Sequence, residues 1–104
     1  EKIVFLVLLG GRIQQSRLVI QLVLEADELM MSLISQPADK ARWLDNCIAC
    51  INSMYNTVNI MSNFDQNSSE ITVWTHVLSV ICYYIFNGQF LSAASLLWFK
   101  ISSV

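Results

Sequence analysis

Charged side chains are scarce in this chain of 104 residues: they form 13% of the sequence, whereas typical soluble domains carry about a quarter. Hydrophobic residues make up 55%. This balance leaves little polar surface, so we expect another protein, or further helices of the same chain, to cover part of the apolar surface. The chain begins with Glu1 rather than methionine, which favours a segment of a longer protein over a processed mature chain.

Basic residues are few and do not cluster. Six lysines and arginines stand against eight acidic residues, and the net charge is −2. The basic positions are Lys2, Arg12, Arg17, Lys40, Arg42 and Lys100. Binding to a phosphate backbone requires a basic stripe or patch, so direct binding of nucleic acid is not expected.

Cysteine is too sparse for a disulfide framework, because three cysteines cannot all pair with one another. The sequence therefore favours a reducing compartment, the cytoplasm or the nucleus. We expect an intracellular protein, with a membrane location as the alternative discussed below.

The polar residues between positions 12 and 35 recur every three or four residues, which is the spacing of one stripe on a helix. The rest of that helix is apolar over more than one stripe, so it is predicted to pack on at least two sides. Gln36 and Pro37 end it, because proline disfavours helical geometry in the preceding residue. A second helix over about 38–62 shows a seven-residue apolar pattern, at Leu44, Ile51 and Val58 and at Cys47, Met54 and Met61.

The run Ser62 to Ser69 has loop chemistry, and a helix is predicted to follow it over about 70–87. Asn87 and Gly88 supply a left-handed helix stop, and a last helix covers about 89–102. A short apolar helix over about 2–9 comes before them all. No strand alternation is present, so we predict a single all-α domain of antiparallel helical hairpins, stacked as a short α-solenoid segment or as a helical bundle.

The residues around the last turn resemble the tetratricopeptide-repeat pattern, in which an aromatic, a glycine, a second aromatic and a small residue surround the turn between two helices. These residues are Tyr84, Gly88, Phe90, Ala93 and Leu97. The resemblance covers about half of the chain and implies an irregular helical-repeat scaffold that binds other proteins. The chain departs from the pattern where Val77 replaces an expected tryptophan and where no proline follows Leu97.

Cys47 and Cys50 are the one pair that suggests redox or zinc chemistry. They fall in the middle of a predicted helix, however, and Cys47 lies in its apolar seam, so we interpret them as structural. His76 and Cys82 are the remaining candidates for zinc, but six residues on one helix separate them by about 240°. No metal site and no cofactor is therefore predicted.

Glu25, Asp27 and Glu28 form an acidic cluster that we interpret as a solvated helix face rather than as a catalytic pair. The sequence contains neither a glycine-rich phosphate loop nor a nucleophile with a base and an orienting acid. The chain is accordingly expected not to be an enzyme.

A membrane-associated protein is the alternative interpretation. No charged residue occurs over 73–99, and Trp74 and Trp98 stand near the two ends of that run, as interfacial aromatics do. Polar residues at positions 87–89 interrupt it, which favours a turn between two helices over a continuous span.

The favoured interpretation is a non-catalytic helical scaffold that mediates protein–protein interaction. Its expected contact residues are polar side chains on the first long helix and on the amide-rich face of the second. They are Gln14, Gln21, Glu28, Asn52, Asn56 and Asn59.

Overall fold

The computed structural model describes residues 16–35, 37–64 and 69–102, and four α-helices account for most of them. No strand occurs in these ranges, so the predicted all-α fold is confirmed. The predicted helix over 2–9 lies outside the described residues. The helices are α1 (Ser16–Ser35), α2 (Lys40–Phe64), α3 (Ser69–Phe86) and α4 (Phe90–Ser102).

Each helix packs on the next in the chain, and α4 also packs on α1. The short connections make consecutive helices antiparallel, and the contact between α1 and α4 closes the four helices into a ring. This arrangement is that of a helical bundle, since the repeats of an extended solenoid contact mainly their neighbours.

The core lies along the axis of the bundle and receives one apolar stripe from each helix. On α1 this stripe includes Leu22, Ala26, Leu29 and Leu33, which follow the three- and four-residue spacing of one helix face. The largest fully buried side chains from the other helices are Cys47, Met54, Trp74, Leu78, Ile81, Leu97 and Ile101. The predicted seam of α2 is thus buried at Cys47, Ile51, Met54 and Val58, while Leu44 is half-buried.

The beginning of α2 is set by Asp39, whose carboxylate oxygen accepts a hydrogen bond from the Arg42 amide at 3.2 Å. The Asp39 carbonyl also accepts the Trp43 amide, at 3.0 Å. Asp39 therefore caps the helix, which explains why α2 begins at Lys40 rather than near Ala38. The Trp43 indole N–H then donates to the Ser32 carbonyl and ties the start of α2 to the end of α1.

The turn between α3 and α4 is a left-handed helix stop, as the sequence predicts. Gly88 has a φ of 71°, and the Gln89 amide donates to the Tyr84 carbonyl at 2.8 Å. The Gly88 amide donates to the Ile85 carbonyl at 3.0 Å. These bonds form a Schellman motif, in which glycine is preferred because it has no Cβ to oppose the positive φ.

The membrane alternative expected Trp74 at a lipid interface, but the structure places this side chain inside the bundle. It is 2% exposed, and the Lys100 ammonium lies 5.0 Å from the centroid of its ring, a cation–π distance. In the described parts of the chain, no helix combines the length and the hydropathy that a bilayer crossing requires.

Candidate functional site

The predicted contact residues occupy the outside of the bundle but do not form one site. Gln14 lies outside the described residues. Those that the structure describes are all exposed, and they are Gln21 and Glu28 on α1 and Asn52, Asn56 and Asn59 on α2. The asparagines form an outward ridge on α2, and a groove runs along each side of it. Glu28 lines one groove and Asn52 lines the other.

The larger groove lies between α1 and α2 and has a volume of about 700 Å³. From α1 it receives Leu24, Asp27, Glu28, Met31 and Ser32, and from α2 it receives Asn46, Ala49 and Cys50. It is open to solvent along the bundle surface. Its two walls belong to one antiparallel helical hairpin.

The apolar part of this groove consists of exposed side chains. Met31 is 59% exposed and Leu24 is 43% exposed. They are seven residues apart, so they lie on the same side of α1, about 10 Å from each other along the helix axis. The small side chain of Ala49 faces them across the groove, which leaves room for an incoming side chain.

The polar part of the groove is acidic. Asp27 is half-buried and Glu28 is exposed, and no lysine or arginine occurs among the described residues that line the groove. The thiol of Cys50 responds to this charge: its pKa is raised, first by burial and then by the carboxylates of Glu28 and Glu25. The described lining of the groove thus carries acidic and no basic side chains.

Glu25 joins the two walls of the groove. Its carboxylate accepts a hydrogen bond from the Ser53 hydroxyl at 2.7 Å and one from the Thr57 hydroxyl at 2.8 Å. Gln21, one turn earlier on α1, donates its amide at 3.2 Å. The interpretation of Glu25 as a solvated residue was therefore wrong, because α2 places two hydroxyl donors opposite it. The bonds from Ser53 and Thr57 connect α1 and α2.

The smaller groove lies between α2 and α3 and has a volume of about 220 Å³. Its lining is almost entirely apolar, and it consists of Leu44, Ile48, Ile51, Asn52, Tyr55, Cys82, Ile85 and Phe86. The Tyr55 hydroxyl and the Ser79 hydroxyl are 3.0 Å apart and share a hydrogen bond between the two helices. None of the described residues that line this groove is charged.

The cysteines are placed for packing. All three are free thiols, and Cys47 is fully buried. Burial, together with the neighbouring Cys50, raises the pKa of Cys47 to about 11, and burial also raises the pKa of Cys82. A redox or nucleophilic cysteine needs a lowered pKa, so these thiols are poorly suited to either role. Within the described ranges, no group of three metal-ligating side chains comes together.

Sequence reasoning missed Leu24, Asp27 and Met31 as residues of the groove. The sequence did show that α1 is apolar over more than one stripe, and the expected consequence was packing on at least two sides. The helix does pack on both α2 and α4, but Leu24 and Met31 remain at the edge of the contact with α2. The available signal was the spacing of Leu24 and Met31, which are seven residues apart with Asp27 and Glu28 between them. This spacing indicates an apolar stripe beside an acidic one on the same side of the helix.

Comparison with models of known protein families, with curated proteins and with solved structures found no match. Among the described residues, the groove between α1 and α2 combines exposed apolar side chains, two carboxylates and hydrogen bonds between its two helices.

Proposed function

We propose that this chain is a helical scaffold that binds another protein in the groove between α1 and α2. The observation that carries the proposal is the exposure of Met31 and Leu24 beside Asp27 and Glu28, in a groove whose walls are bonded together through Glu25. Exposed apolar patches with a polar border mark interaction sites in soluble proteins. A rigid frame lowers the conformational cost of binding.

The shape of the groove favours a protein over a small molecule. Sites for small molecules are concave and bury most of the ligand, whereas this groove is open along the helical hairpin. The separation of Leu24 and Met31 along α1, about 10 Å, matches that of apolar side chains seven residues apart on a partner helix. An exposed methionine is also common on surfaces that bind peptides, because its unbranched side chain adapts to different shapes.

The resemblance to tetratricopeptide repeats supports the same class of function. Around the turn from α3 to α4, the glycine has the left-handed conformation and Ala93 is fully buried against the bundle. Phe90 packs edge-on against Trp43, with ring centroids 4.7 Å apart. We therefore also propose that the hairpin of α3 and α4 is a repeat-like unit. Units of this kind act as protein-binding scaffolds.

We further propose that the scaffold acts without catalysis. The one histidine of the chain, His76, lies exposed on α3, whereas the hydroxyls of Ser53 and Thr57 donate to Glu25 between α1 and α2. A hydroxyl nucleophile needs a base positioned to accept its proton and an oriented third group. Here both hydroxyls donate hydrogen bonds to Glu25 across the contact between α1 and α2.

A display screen with two matched variants tests the proposal. A library of helical peptides of all charges is selected on the chain, and the selected peptides are then measured on Met31→Gln and Ile34→Gln. Both substitutions replace an exposed apolar residue of α1 with a neutral polar one, but only Met31 lines the groove. We expect binding to be lost with Met31→Gln and retained with Ile34→Gln. Equal binding to the two variants, or no selected peptide, would contradict the proposal.

Association with a membrane surface is a second candidate function, favoured by the outward face of α4. Leu91 is 81% exposed and Phe99 is 71% exposed, and Trp98 is also exposed beside them. Trp43 and Trp74 are buried, so added lipid vesicles should change the tryptophan emission mainly through Trp98. A blue shift of that emission, with binding of the chain to the vesicles, would support this candidate, and unchanged emission would exclude it.

A further inference from the structure

The groove between α1 and α2 presents two kinds of chemistry side by side. Leu24 and Met31 form a short apolar stripe along α1, and Asp27 and Glu28 occupy the turn of helix between them. A partner that covers the stripe must bring its own polar groups within reach of both carboxylates. The chemistry of those groups decides whether binding is favourable.

The two carboxylates are not neutralised within the groove. Its described lining contains no basic residue, and Lys40 and Arg42, in the first turn of α2, are not part of that lining. Lys100 is buried at the end of α4, beside Trp74. A partner with neutral or acidic polar groups would therefore desolvate these carboxylates without compensation, which is costly.

The dimensions of the stripe suit a helix. An amphipathic helix places apolar side chains at positions i, i+3, i+4 and i+7, and the last is about 10 Å from the first. That length equals the separation of Leu24 and Met31. The small Ala49 on the opposite wall allows the partner's apolar side chains to enter, and Ser32 and Asn46 provide polar contacts at the borders.

We propose that the partner in this groove is a basic amphipathic helix, whose apolar side chains pack on Leu24 and Met31 while its lysines or arginines pair with Asp27 and Glu28. This inference rests on the proposed function and specifies the partner's chemistry. Within the described residues, a second copy of the chain does not meet the requirement, because none of the four described helices has a basic face and two acidic grooves repel each other.

Two designed peptides and two charge-reversed variants test the inference. The peptides are a stapled helix of leucine and lysine and its counterpart with glutamate at every lysine position. The variants are Glu28→Lys, inside the groove, and Asp45→Lys, on an exposed position of α2 that does not line it. Each variant replaces one negative charge with one positive charge, so the net charge changes from −2 to 0 in both.

We expect the lysine peptide to bind and the glutamate peptide not to bind in calorimetric titrations. Glu28→Lys should weaken the binding of the lysine peptide by about tenfold or more, because the attraction between Glu28 and a lysine of the peptide becomes a repulsion. Asp45→Lys should weaken it by less than about twofold. Binding should weaken at high salt but persist in part, because the apolar contacts are not screened. Circular dichroism of the variants verifies that both retain the helical fold.

Three outcomes would overturn the inference. Equal weakening by Glu28→Lys and Asp45→Lys would show attraction to overall charge rather than to the groove. Equal binding of the glutamate peptide would show that charge does not select the partner. If neither peptide binds while the display screen selects other peptides that depend on Met31, the protein-binding function stands and the basic partner is excluded.

Discussion

Replacing Glu25 by alanine should destabilise the bundle, whereas the same change at Glu28 should not. Glu25 accepts hydrogen bonds from Ser53 and Thr57 across the interface of α1 and α2, at 2.7 and 2.8 Å. Glu28 is one turn further along α1 and exposed. The two substitutions remove the same side chain from the same helix, so their difference isolates the bonds between the helices.

The expected loss follows from the number of bonds and their burial. Hydrogen bonds to a charged group contribute about 1.5–3 kcal/mol each when buried, but Glu25 is only half-buried, so the lower end applies. Thr57 also keeps the Ser53 carbonyl as an acceptor at 3.0 Å, which reduces its loss. We therefore expect Glu25→Ala to lower the free energy of unfolding by about 2 kcal/mol. Glu28→Ala should change it by less than about 0.5 kcal/mol.

Urea denaturation followed by far-ultraviolet circular dichroism measures both variants, and thermal denaturation should show a fall in Tm of about 10 °C for Glu25→Ala. A double-mutant cycle with Thr57→Val should give a coupling energy of about 1 kcal/mol between the two positions. Equal stabilities of Glu25→Ala and Glu28→Ala, or a coupling energy near zero, would refute the argument that Glu25 joins the helices.

Three further changes test other parts of the fold. Gly88→Ala should lower the free energy of unfolding by about 1–2 kcal/mol, because the backbone φ is 71° there, and Gly88→Asn should lower it by less, because asparagine tolerates a positive φ better. No heavy atom lies within 4 Å of an added Cβ, so a steric clash is not the cause. Equal losses of stability in the two variants would contradict the backbone explanation. Because folding raises the pKa of Cys47, its thiol ionises at a lower pH in the unfolded chain than in the folded one. The free energy of unfolding should therefore be unaffected by this thiol below pH 9.0 and should fall as the pH rises from 9.0 toward about 11. Cys47→Ala should remove the contribution of this thiol to the loss of stability at high pH. If the dependence of stability on pH is the same in this variant as in the wild type, the explanation is wrong. Trp43→Phe should cost about 1 kcal/mol in urea denaturation through loss of the bond to the Ser32 carbonyl, and wild-type stability would show that this bond contributes little.

Much of the fold was predictable because local chemistry decides it. The apolar spacing of α1 and α2, the break at Pro37 and the left-handed residue Gly88 each act within a few residues of sequence. The prediction for α2 missed both of its ends: the helix begins at Lys40, after its cap Asp39, rather than near Ala38, and it continues to Phe64 rather than ending near position 62. Such capping depends on side-chain geometry that spacing alone does not show.

The candidate site was less predictable because it depends on which helices become neighbours. The polar spacing placed Glu28 and Asn52 on the outside, on two different helix faces, but it did not show that they line two different grooves on either side of α2. The same limitation made Glu25 look solvated. A helical pattern shows which side of a helix is polar, and it does not show that the facing helix carries Ser53 and Thr57.

The most direct test of the central claim is the methyl spectrum of the methionine side chains during titration with the lysine peptide. The chain has four methionines, of which Met31 lines the groove while Met30 and Met54 are buried in the core. We predict that the Met31 methyl resonance shifts as the peptide binds and that those of Met30 and Met54 move little. Saturable binding that leaves Met31 unchanged would contradict the groove as the site of protein binding.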